Sequence, residues 1–246
     1  MITWIHGLFG APTDFAAVAK RLKTTRKQAS MALPGHGGSP ALDNTPEPAF
    51  DEVSRAFIAS LDALEVQQTA LIGYSMGARV AMHIARGYPE RISELVVIGG
   101  HPGIENDDTR IGRQMVDAKR ADRIRGGGLK AFLDTWYRQP LFAQFRAHPD
   151  FDAIVEQRCM GDAYGVATTL ERLSTGHQEP LSEQMAASPV RTLWVAGSED
   201  TRYISLLRPI AEAQTEGQLV IIGGAGHAVV SEAPEALADA LNDFLA

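Results

Sequence analysis

The sequence is poor in the residue types that mark several classes of protein. It contains one cysteine, Cys159, which excludes an internal disulfide and suits a reducing compartment. No group of cysteines and histidines has metal-ligand spacing. No apolar run approaches the ~20 residues of a membrane span, and no basic segment precedes an apolar one at the N-terminus. We therefore expect a cytoplasmic protein with no metal ion and no membrane span.

Positive charge is also scarce. Lysine and arginine number 23 against 30 aspartates and glutamates, which gives a net charge of −7. This balance argues against nucleic acid as a partner, although a local site can carry the opposite sign. Apolar residues make up 45% and charged residues 22%, as in ordinary globular proteins. The length of 246 residues suffices for one α/β domain with an insertion, and no pattern indicates an oligomeric state.

Short apolar runs alternate with helical patterns along most of the chain. This alternation predicts an α/β fold with a mostly parallel sheet. We expect about six strands, near residues 2–6, 28–33, 69–73, 94–98, 192–196 and 219–222. Helices are expected near residues 14–22, 50–64, 77–86 and 234–245.

The alternation stops between residues 101 and 189. This interval is rich in helix formers and contains no convincing strand, and three glycines at 126–128 interrupt it. It predicts a helical insertion, called the cap below, with a joint between helices at these glycines. The core would then consist of residues 1–100 and 190–246.

Ser75 lies in the sequence Gly73-Tyr74-Ser75-Met76-Gly77, between a predicted strand and a predicted helix. This G-x-S-x-G pattern is typical of a nucleophile elbow, whose glycines allow a turn sharp enough to expose the serine at its tip. The N-terminal N–H groups of the following helix point to the same place. Alone, the pattern also occurs in turns without a catalytic role. The strand–turn–helix context favours a nucleophile.

A serine hydroxyl needs a histidine to accept its proton and a carboxylate to orient that histidine. With this elbow the expected chain order is serine, acid, histidine. Asp200 and His227 each follow the C-terminal end of a predicted strand, where open α/β sheets place their sites. Glu199 is an alternative acid, and Asp200 alone could be a turn or cap residue. Order and position favour the triad Ser75, Asp200 and His227.

An oxyanion hole should complete such a site. One donor would be the backbone N–H of Met76, directly after the serine. The other would come from an early strand-to-helix loop of HG type, which His6 and Gly7 provide. We expect Leu8 N–H to be this second donor, with Phe9 N–H as the alternative.

Taken together, these motifs resemble the α/β-hydrolase fold over nearly the whole chain. The chain would begin at the third strand of the usual eight, without the N-terminal two-strand hairpin. Three segments resemble one narrower family: GYSMGARVAM (73–82), GGHPG (99–103) and WYRQPLFA (136–143). That family is the 2-succinyl-6-hydroxy-2,4-cyclohexadiene-1-carboxylate synthases of menaquinone (vitamin K2) biosynthesis. Many esterases share the elbow, whereas the three segments together are far more specific.

The resemblance implies a cofactor-independent carbon–oxygen lyase. Such an enzyme eliminates pyruvate from 2-succinyl-5-enolpyruvyl-6-hydroxy-3-cyclohexene-1-carboxylate, with the Ser-His-Asp group acting as a general base. The family's anion-binding arginines fall on Arg79, Arg113 and Arg158, and its pocket-lining aromatic residues on Tyr74 and Trp136.

The chemistry of arginine fits a small, multiply anionic substrate. The implied substrate carries three carboxylates, which the guanidinium fork binds bidentately. Several arginines converging on one pocket would repel one another without an anionic ligand. The neighbouring arginines of the cap are expected to be surface residues: Arg110, Arg120, Arg123 and Arg125.

Two other function classes stay open at this point. One is a serine hydrolase that acts covalently on an ester or carbon–carbon bond in a small anionic substrate. The other is a non-catalytic ligand receptor with the same fold. The arginines argue against a hydrolase of neutral esters, and the intact triad argues against a receptor.

Overall fold

A six-stranded parallel sheet forms the centre of the computed structural model, which describes residues 1–43, 45 and 47–246. Its spatial order is β2-β1-β3-β4-β5-β6, with every neighbouring pair parallel. The prediction of about six strands is confirmed, and the described sheet is wholly parallel. The strands are β1 (Ile2–Ile5), β2 (Gln28–Met31), β3 (Thr69–Tyr74), β4 (Ile92–Ile98), β5 (Thr192–Gly197) and β6 (Gly217–Ile222).

Strand composition follows position in the sheet. The central strands β3 and β5 are buried along their whole length, as near-continuous apolar runs are when helices cover both faces of a sheet. Edge strand β2 instead alternates exposed and half-buried residues.

Helices follow the strands and also fill the long connection between β4 and β5. None in the described ranges combines the length and the apolar composition that crossing a bilayer demands. The α-helices are α1 (Ala16–Ala19), α2 (Ala49–Ala63), α3 (Met76–Gly87), α4 (Asp107–Trp136), α5 (Ala143–Arg146), α6 (Phe151–Cys159), α7 (Ala163–Arg172), α8 (Ser182–Ala186), α9 (Thr201–Ala213), α10 (Val229–Glu232) and α11 (Pro234–Leu245).

The two faces of the sheet carry separate hydrophobic cores. Helices α2, α3 and α9 cover one face, where Phe57 packs with Leu71 and Trp194. Helices α1 and α11 cover the other, where Trp4 and Phe15 pack together. This division follows from the strands, since successive side chains point to opposite faces.

The cap has its own hydrophobic cluster, formed mainly by aromatic and aliphatic residues of α4 to α7. Helix α4 breaks at Gly128, whose φ of 75° and ψ of 170° are not helical. The predicted joint at residues 126–128 therefore lies at its third glycine. Helix α8 packs against α9 and α3, so the last part of the interval lies on the core. The division at residues 101 and 189 stays a prediction.

Candidate active site

Ser75 forms the turn between β3 and α3 in a strained conformation. Its φ is 51° and its ψ is −109°, an uncommon region for a residue with a Cβ atom, and such strain is concentrated at functional sites. Its N–H donates to Ile98 O at 2.8 Å. A Cβ atom at Gly77 would lie 2.2 Å from Ile5 O and 2.4 Å from His6 O. Only glycine at this position lets α3 begin so close to the end of β1.

The structure brings Ser75, Asp200 and His227 together. His227 Nε2 lies 3.1 Å from Ser75 Oγ, and His227 Nδ1 lies 2.8 Å from Asp200 Oδ2. Both His227 and Asp200 are buried. Glu199 is exposed, and its carboxylate accepts from the Ser198 hydroxyl instead. An Asp200 carboxylate at Nδ1 favours the tautomer whose Nε2 accepts a proton from serine.

Aromatic rings surround the imidazole of His227. The ring centroids of Tyr203, Tyr74 and Phe142 lie 4.6, 5.7 and 6.1 Å from that of His227. The backbone N–H of Tyr203 also donates to Asp200 Oδ1 at 3.4 Å. These contacts exclude water from the pair and fix the orientation of the imidazole.

Two buried histidines hold the loop that follows β1. Leu33 N–H donates to His6 Nε2, and Phe9 N–H donates to His36 Nε2, each at 3.1 Å. Nε2 of each ring must therefore be unprotonated. Burial lowers the pKa of both histidines to about 4, which favours this neutral form. Sequence reasoning assigned no role to His36.

These contacts distinguish the two candidate oxyanion donors of the loop. Phe9 N–H is already bonded to His36. Within the described chain, the N–H groups of Leu8 and Met76 donate to no protein acceptor. Both residues line the cavity beside Ser75. The geometry thus leaves Leu8 rather than Phe9 as the available donor, and its role in an oxyanion hole stays a prediction.

A cavity of about 160 Å³ lies beside Ser75 and His227, between the core and the cap. Its wall is strongly cationic, with one acidic residue, Asp117, against several arginines. Trp136 of the cap also lines it, as predicted. The arginines are Arg79, Arg113, Arg120 and Arg202. In the described residues, no three or more His, Cys, Asp or Glu side chains are grouped so as to share a metal ion.

Arg79 lies one helical turn beyond Ser75, as its spacing predicted. It is buried, and its Nη1 donates to Leu173 O at 2.6 Å, while its guanidinium lies 5.7 Å from the centroid of the Phe50 ring. Burial, and then the nearby charge of Arg113, lower its pKa to about 10. It is therefore still charged at neutral pH, with a strong electrostatic preference for an anion beside it.

Two predicted substrate-binding residues, Arg158 and Tyr74, do not line this cavity. The Arg158 guanidinium donates to the Tyr137 hydroxyl and lies 3.6 Å from Asp14 Oδ2, beside a separate cavity. The ring of Tyr74 lies between Gly7 and His227. Their roles in binding stay predictions, since the positive charge of Arg158 is already paired in this structure.

Sequence reasoning also missed residues that do line the cavity. Arg120 was expected at the surface and lies in the wall instead, and Arg202 and Tyr203 were not predicted. A signal for Arg120 existed. Arg113, Asp117 and Arg120 stand at positions i, i+4 and i+7 and so share one face of α4.

The sequence of the chain is similar to those of known proteins that belong to one family. Residues 4–240 match the alpha/beta hydrolase family. The chain is 32% identical to 2-succinyl-6-hydroxy-2,4-cyclohexadiene-1-carboxylate synthase of Serratia proteamaculans, over 99% of this chain and 92% of that protein. It is 28% identical to Protein PHYLLO, chloroplastic, of Arabidopsis thaliana, over 98% of this chain and 15% of that protein.

Solved structures show the same relationship. The structure of MenH from S. aureus superposes with a TM-score of 0.92 at 25% identity, over 99% of this chain and 92% of that one. A thermophilic esterase from Thermogutta terrifontis shares the fold, with a TM-score of 0.82 at 20% identity, over 99% of this chain and 88% of that one.

Proposed function

Because the chain belongs to the alpha/beta hydrolase family, we propose that its triad serves the reaction named for its Serratia relative. It would eliminate pyruvate from 2-succinyl-5-enolpyruvyl-6-hydroxy-3-cyclohexene-1-carboxylate and so form 2-succinyl-6-hydroxy-2,4-cyclohexadiene-1-carboxylate, in menaquinone biosynthesis. The observation that carries the proposal is the cationic cavity, in which four arginines and one aspartate lie beside Ser75. The substrate of this elimination carries three carboxylates, which such a wall would bind.

Ser75 acts in this proposal as a general base and forms no acyl intermediate. Its oxygen takes the ring proton next to the succinyl ketone while His227 Nε2 takes the hydroxyl proton. The hydrogen bond of 3.1 Å between Ser75 and His227 supports this transfer. Asp200, 2.8 Å from His227 Nδ1, stabilises the imidazolium that forms.

The ketone oxygen becomes an enolate as the proton leaves. The free N–H groups of Met76 and Leu8 are the donors available to this oxygen, and loss of one such donor typically costs about 10²–10³ in rate. The enolate then expels the enolpyruvyl group by breaking its bond to the ring. His227 returns the proton to the departing group, which becomes pyruvate, so the reaction as proposed needs no cofactor or metal.

The test is an assay of the purified protein with the enolpyruvyl substrate. Pyruvate and the conjugated diene should form in equal amounts, and Ser75→Ala should abolish both because the proton acceptor is gone. The variant keeps the φ of 51° without adding atoms, so its urea unfolding midpoint should stay near that of the wild type. Circular dichroism with urea checks the fold.

Two outcomes would contradict the proposal. A Ser75→Ala variant that retained most of its turnover would remove Ser75 from the mechanism. An acyl-enzyme trapped on Ser75 would favour the alternative, a serine hydrolase of an ester or carbon–carbon bond in a small anionic substrate. Mass spectrometry of the quenched reaction distinguishes the lyase from the hydrolase, because only a hydrolase would carry substrate mass on the peptide containing Ser75.

A further inference from the structure

Asp117 is a fully buried carboxylate at the centre of a cluster in the cap. Its Oδ2 accepts from Arg113 Nε at 2.7 Å and from the Ser174 hydroxyl at 2.7 Å, and its Oδ1 accepts from Arg120 Nη1 at 2.8 Å. The side chain has no exposed surface. Burying a carboxylate is costly unless it is paired and hydrogen-bonded, and both oxygens of Asp117 are engaged. The carboxylate therefore fixes two guanidinium groups in place.

The two arginines remain available to a ligand. A guanidinium has five N–H donors, and Asp117 occupies one nitrogen of each arginine. In the described chain, the remaining nitrogens of Arg113 and Arg120 donate to no protein group. Their side chains are 30% and 26% exposed, and both line the cavity beside Ser75.

Arg120 has a further restraint that Arg113 lacks. Its guanidinium carbon lies 5.1 Å from the centroid of the Trp136 ring, within the range of a cation–π interaction. Trp136 lies beyond the break of α4 at Gly128, so this contact joins the two halves of the helix across the joint. Trp136 itself lines the cavity, which keeps Arg120 against its wall.

Charge favours an anion at this position. Two arginines against one aspartate leave the cluster positive, and Arg79 and Arg202 add to it from the core side of the cavity. The positive charge of Arg113 is close enough to Arg79 to contribute, after burial, to the lowered pKa of Arg79. Like charges held this close are relieved when a ligand carboxylate lies between them.

We propose that Arg120 binds a carboxylate of the substrate, and that Asp117 positions Arg113 and Arg120 side by side for this purpose. The pair forms a preorganised clamp on the cap, opposite Arg79 and the elbow. The proposal rests on the proposed function for the identity of the substrate. The binding chemistry is independent of the proposed function, because any small polycarboxylate would bind the clamp in the same way.

The decisive variant is Arg120→Met, which keeps much of the apolar stem and removes the donors. We expect about a 10- to 150-fold drop in kcat/KM for the elimination, as for the loss of a charge-assisted contact. The dissociation constant of propane-1,2,3-tricarboxylate, measured by calorimetry, should rise by a similar factor. This tricarboxylate probes binding without any turnover.

Arg123→Met is the matched control. Arg123 lies on the same helix and also stacks on an aromatic ring, Phe132, but its Nη2 donates to Thr135 and it does not line the cavity. Its replacement should change both quantities by about twofold at most. Equal effects of Arg120→Met and Arg123→Met would overturn the proposal.

Asp117→Asn tests the positioning role, because the amide keeps the shape but loses the charge that orients the arginines. It should weaken tricarboxylate binding and raise KM more than it lowers kcat. If Arg120→Met or Asp117→Asn lowers the unfolding midpoint and leaves binding by the folded protein unchanged, the cluster is structural and the proposal fails. If Arg120→Met does not fold, Arg120→Lys takes its place and should bind more weakly than the wild type, because it lacks the planar fork.

The two proposals fail separately. A wild-type protein that releases no pyruvate, but binds the tricarboxylate through Arg120, contradicts the elimination and supports the clamp. A wild type that eliminates pyruvate at a rate unaffected by Arg120→Met contradicts the clamp alone. If the wild type neither eliminates pyruvate nor binds the tricarboxylate, both are wrong.

Discussion

At the scale of single residues, Glu199 and Asp200 are chain neighbours of the same chemistry in opposite surroundings. Asp200 is 5% exposed and lies against His227, whereas Glu199 is exposed. We expect Asp200→Asn to lower kcat by about 10⁴, because an amide favours the wrong tautomer of the histidine. Glu199→Gln should change it by about twofold at most, as surface substitutions do.

Rates of pyruvate release by the two variants check this prediction. The pair is its own control, because both changes replace one acid by its amide in the same turn. Inactivation by Glu199→Gln together with activity in Asp200→Asn would assign the acid role to Glu199.

The sequence sufficed to predict that Ser75, Asp200 and His227 lie together because of how parallel sheets are built. Ser75, Asp200 and His227 follow three different strands, and the carboxyl ends of parallel strands meet at one edge. Chain position therefore determines position in space. This argument does not reach the cap, where the rotation of each helix about its axis decides which side chains face the cavity. Arg120 could have been inferred only through Arg113, with which it shares a face of α4.

Arg158 shows the same limit from the other side. Its assignment came from a family resemblance, which transfers a residue but not its conformation. In this structure its guanidinium contacts Tyr137 and Asp14, beside a separate cavity that Phe9 also lines. Only contacts could reveal that pairing, since Asp14 and Arg158 are distant in the chain.

At the scale of secondary structure, the break in α4 depends on a glycine. Gly128 has a φ of 75° and a ψ of 170°, a region that is essentially restricted to glycine and that costs other residues about 1–3 kcal/mol. Gly126 lies two residues earlier in helical conformation, with open space where a Cβ would stand. We expect Gly128→Ala to lower the free energy of unfolding by about 1–3 kcal/mol. Gly126→Ala should raise it by up to about 1 kcal/mol.

Urea unfolding of the two variants measures both values. The opposite signs are the content of the prediction, because the same atoms are added to the same helix. A neutral Gly128→Ala would show that the joint does not depend on the backbone conformation of Gly128. A destabilising Gly126→Ala would show that the cost of an added Cβ is not specific to Gly128.

Elements with long and clear patterns could be predicted, whereas interrupted ones could not. Helix α9 was not predicted, and Pro209 lies inside it. Proline removes a backbone donor and is costly in a helix interior. Packing outweighs this cost, because Leu207 and Ile210 are buried against the sheet. The helix expected at residues 14–22 is divided into a 3₁₀ turn, Pro12–Phe15, and the short α1.

At the scale of the whole molecule, the net charge of the chain and the charge of the cavity lining have opposite signs. The chain carries a net charge of −7, yet its cavity is lined by four arginines and one aspartate. Net charge describes the whole surface, so the composition argued against a nucleic-acid partner, which stays a prediction, and could not give the sign of the charge at the site. Cations this closely grouped must be stabilised locally, and Asp117 lies among them without exposed surface.

Buried histidines make the stability of the whole molecule depend on pH. Burial is the largest cause that lowers the pKa of His6, His36 and His101 to about 4 and that of His83 to about 3. In the unfolded chain a histidine takes up a proton near pH ~6.5. As the pH falls below that value, the unfolded state binds protons that the folded state does not. Stability is therefore complete above the unfolded pKa and is lost as the pH falls towards the folded values.

Two carboxylates act in the opposite direction. Burial raises the pKa of Asp14 and Glu232. These two carboxyl groups therefore stabilise the folded protein as the pH falls towards the range in which carboxyl groups take up protons. The ordinary pKa values of these two carboxyl groups, 3.8 and 4.5, lie below that of histidine. Measurements between pH ~5.5 and ~7.5 therefore lie mainly in the window of the histidines, whose unfolded pKa is ~6.5.

His83 allows this prediction to be tested at one site. Both of its ring nitrogens are buried without a hydrogen-bond partner in the described residues, and the ring stacks on Phe50 with centroids 4.3 Å apart. His83→Leu replaces the titrating imidazole by an apolar side chain of similar volume and breaks no hydrogen bond of the described residues. Below the unfolded pKa, each buried histidine contributes a slope of up to about 1.4 kcal/mol per pH unit. Urea unfolding should show a loss of stability from pH ~7.5 to ~5.5 in the wild type that steepens below pH ~6.5. In His83→Leu the total loss over this interval should be smaller by about 1.4 kcal/mol. Identical losses would mean that His83 takes up its proton equally well in the folded and the unfolded protein. Its burial against Phe50 and the nearby charges of Arg86 and Arg79 argue against this.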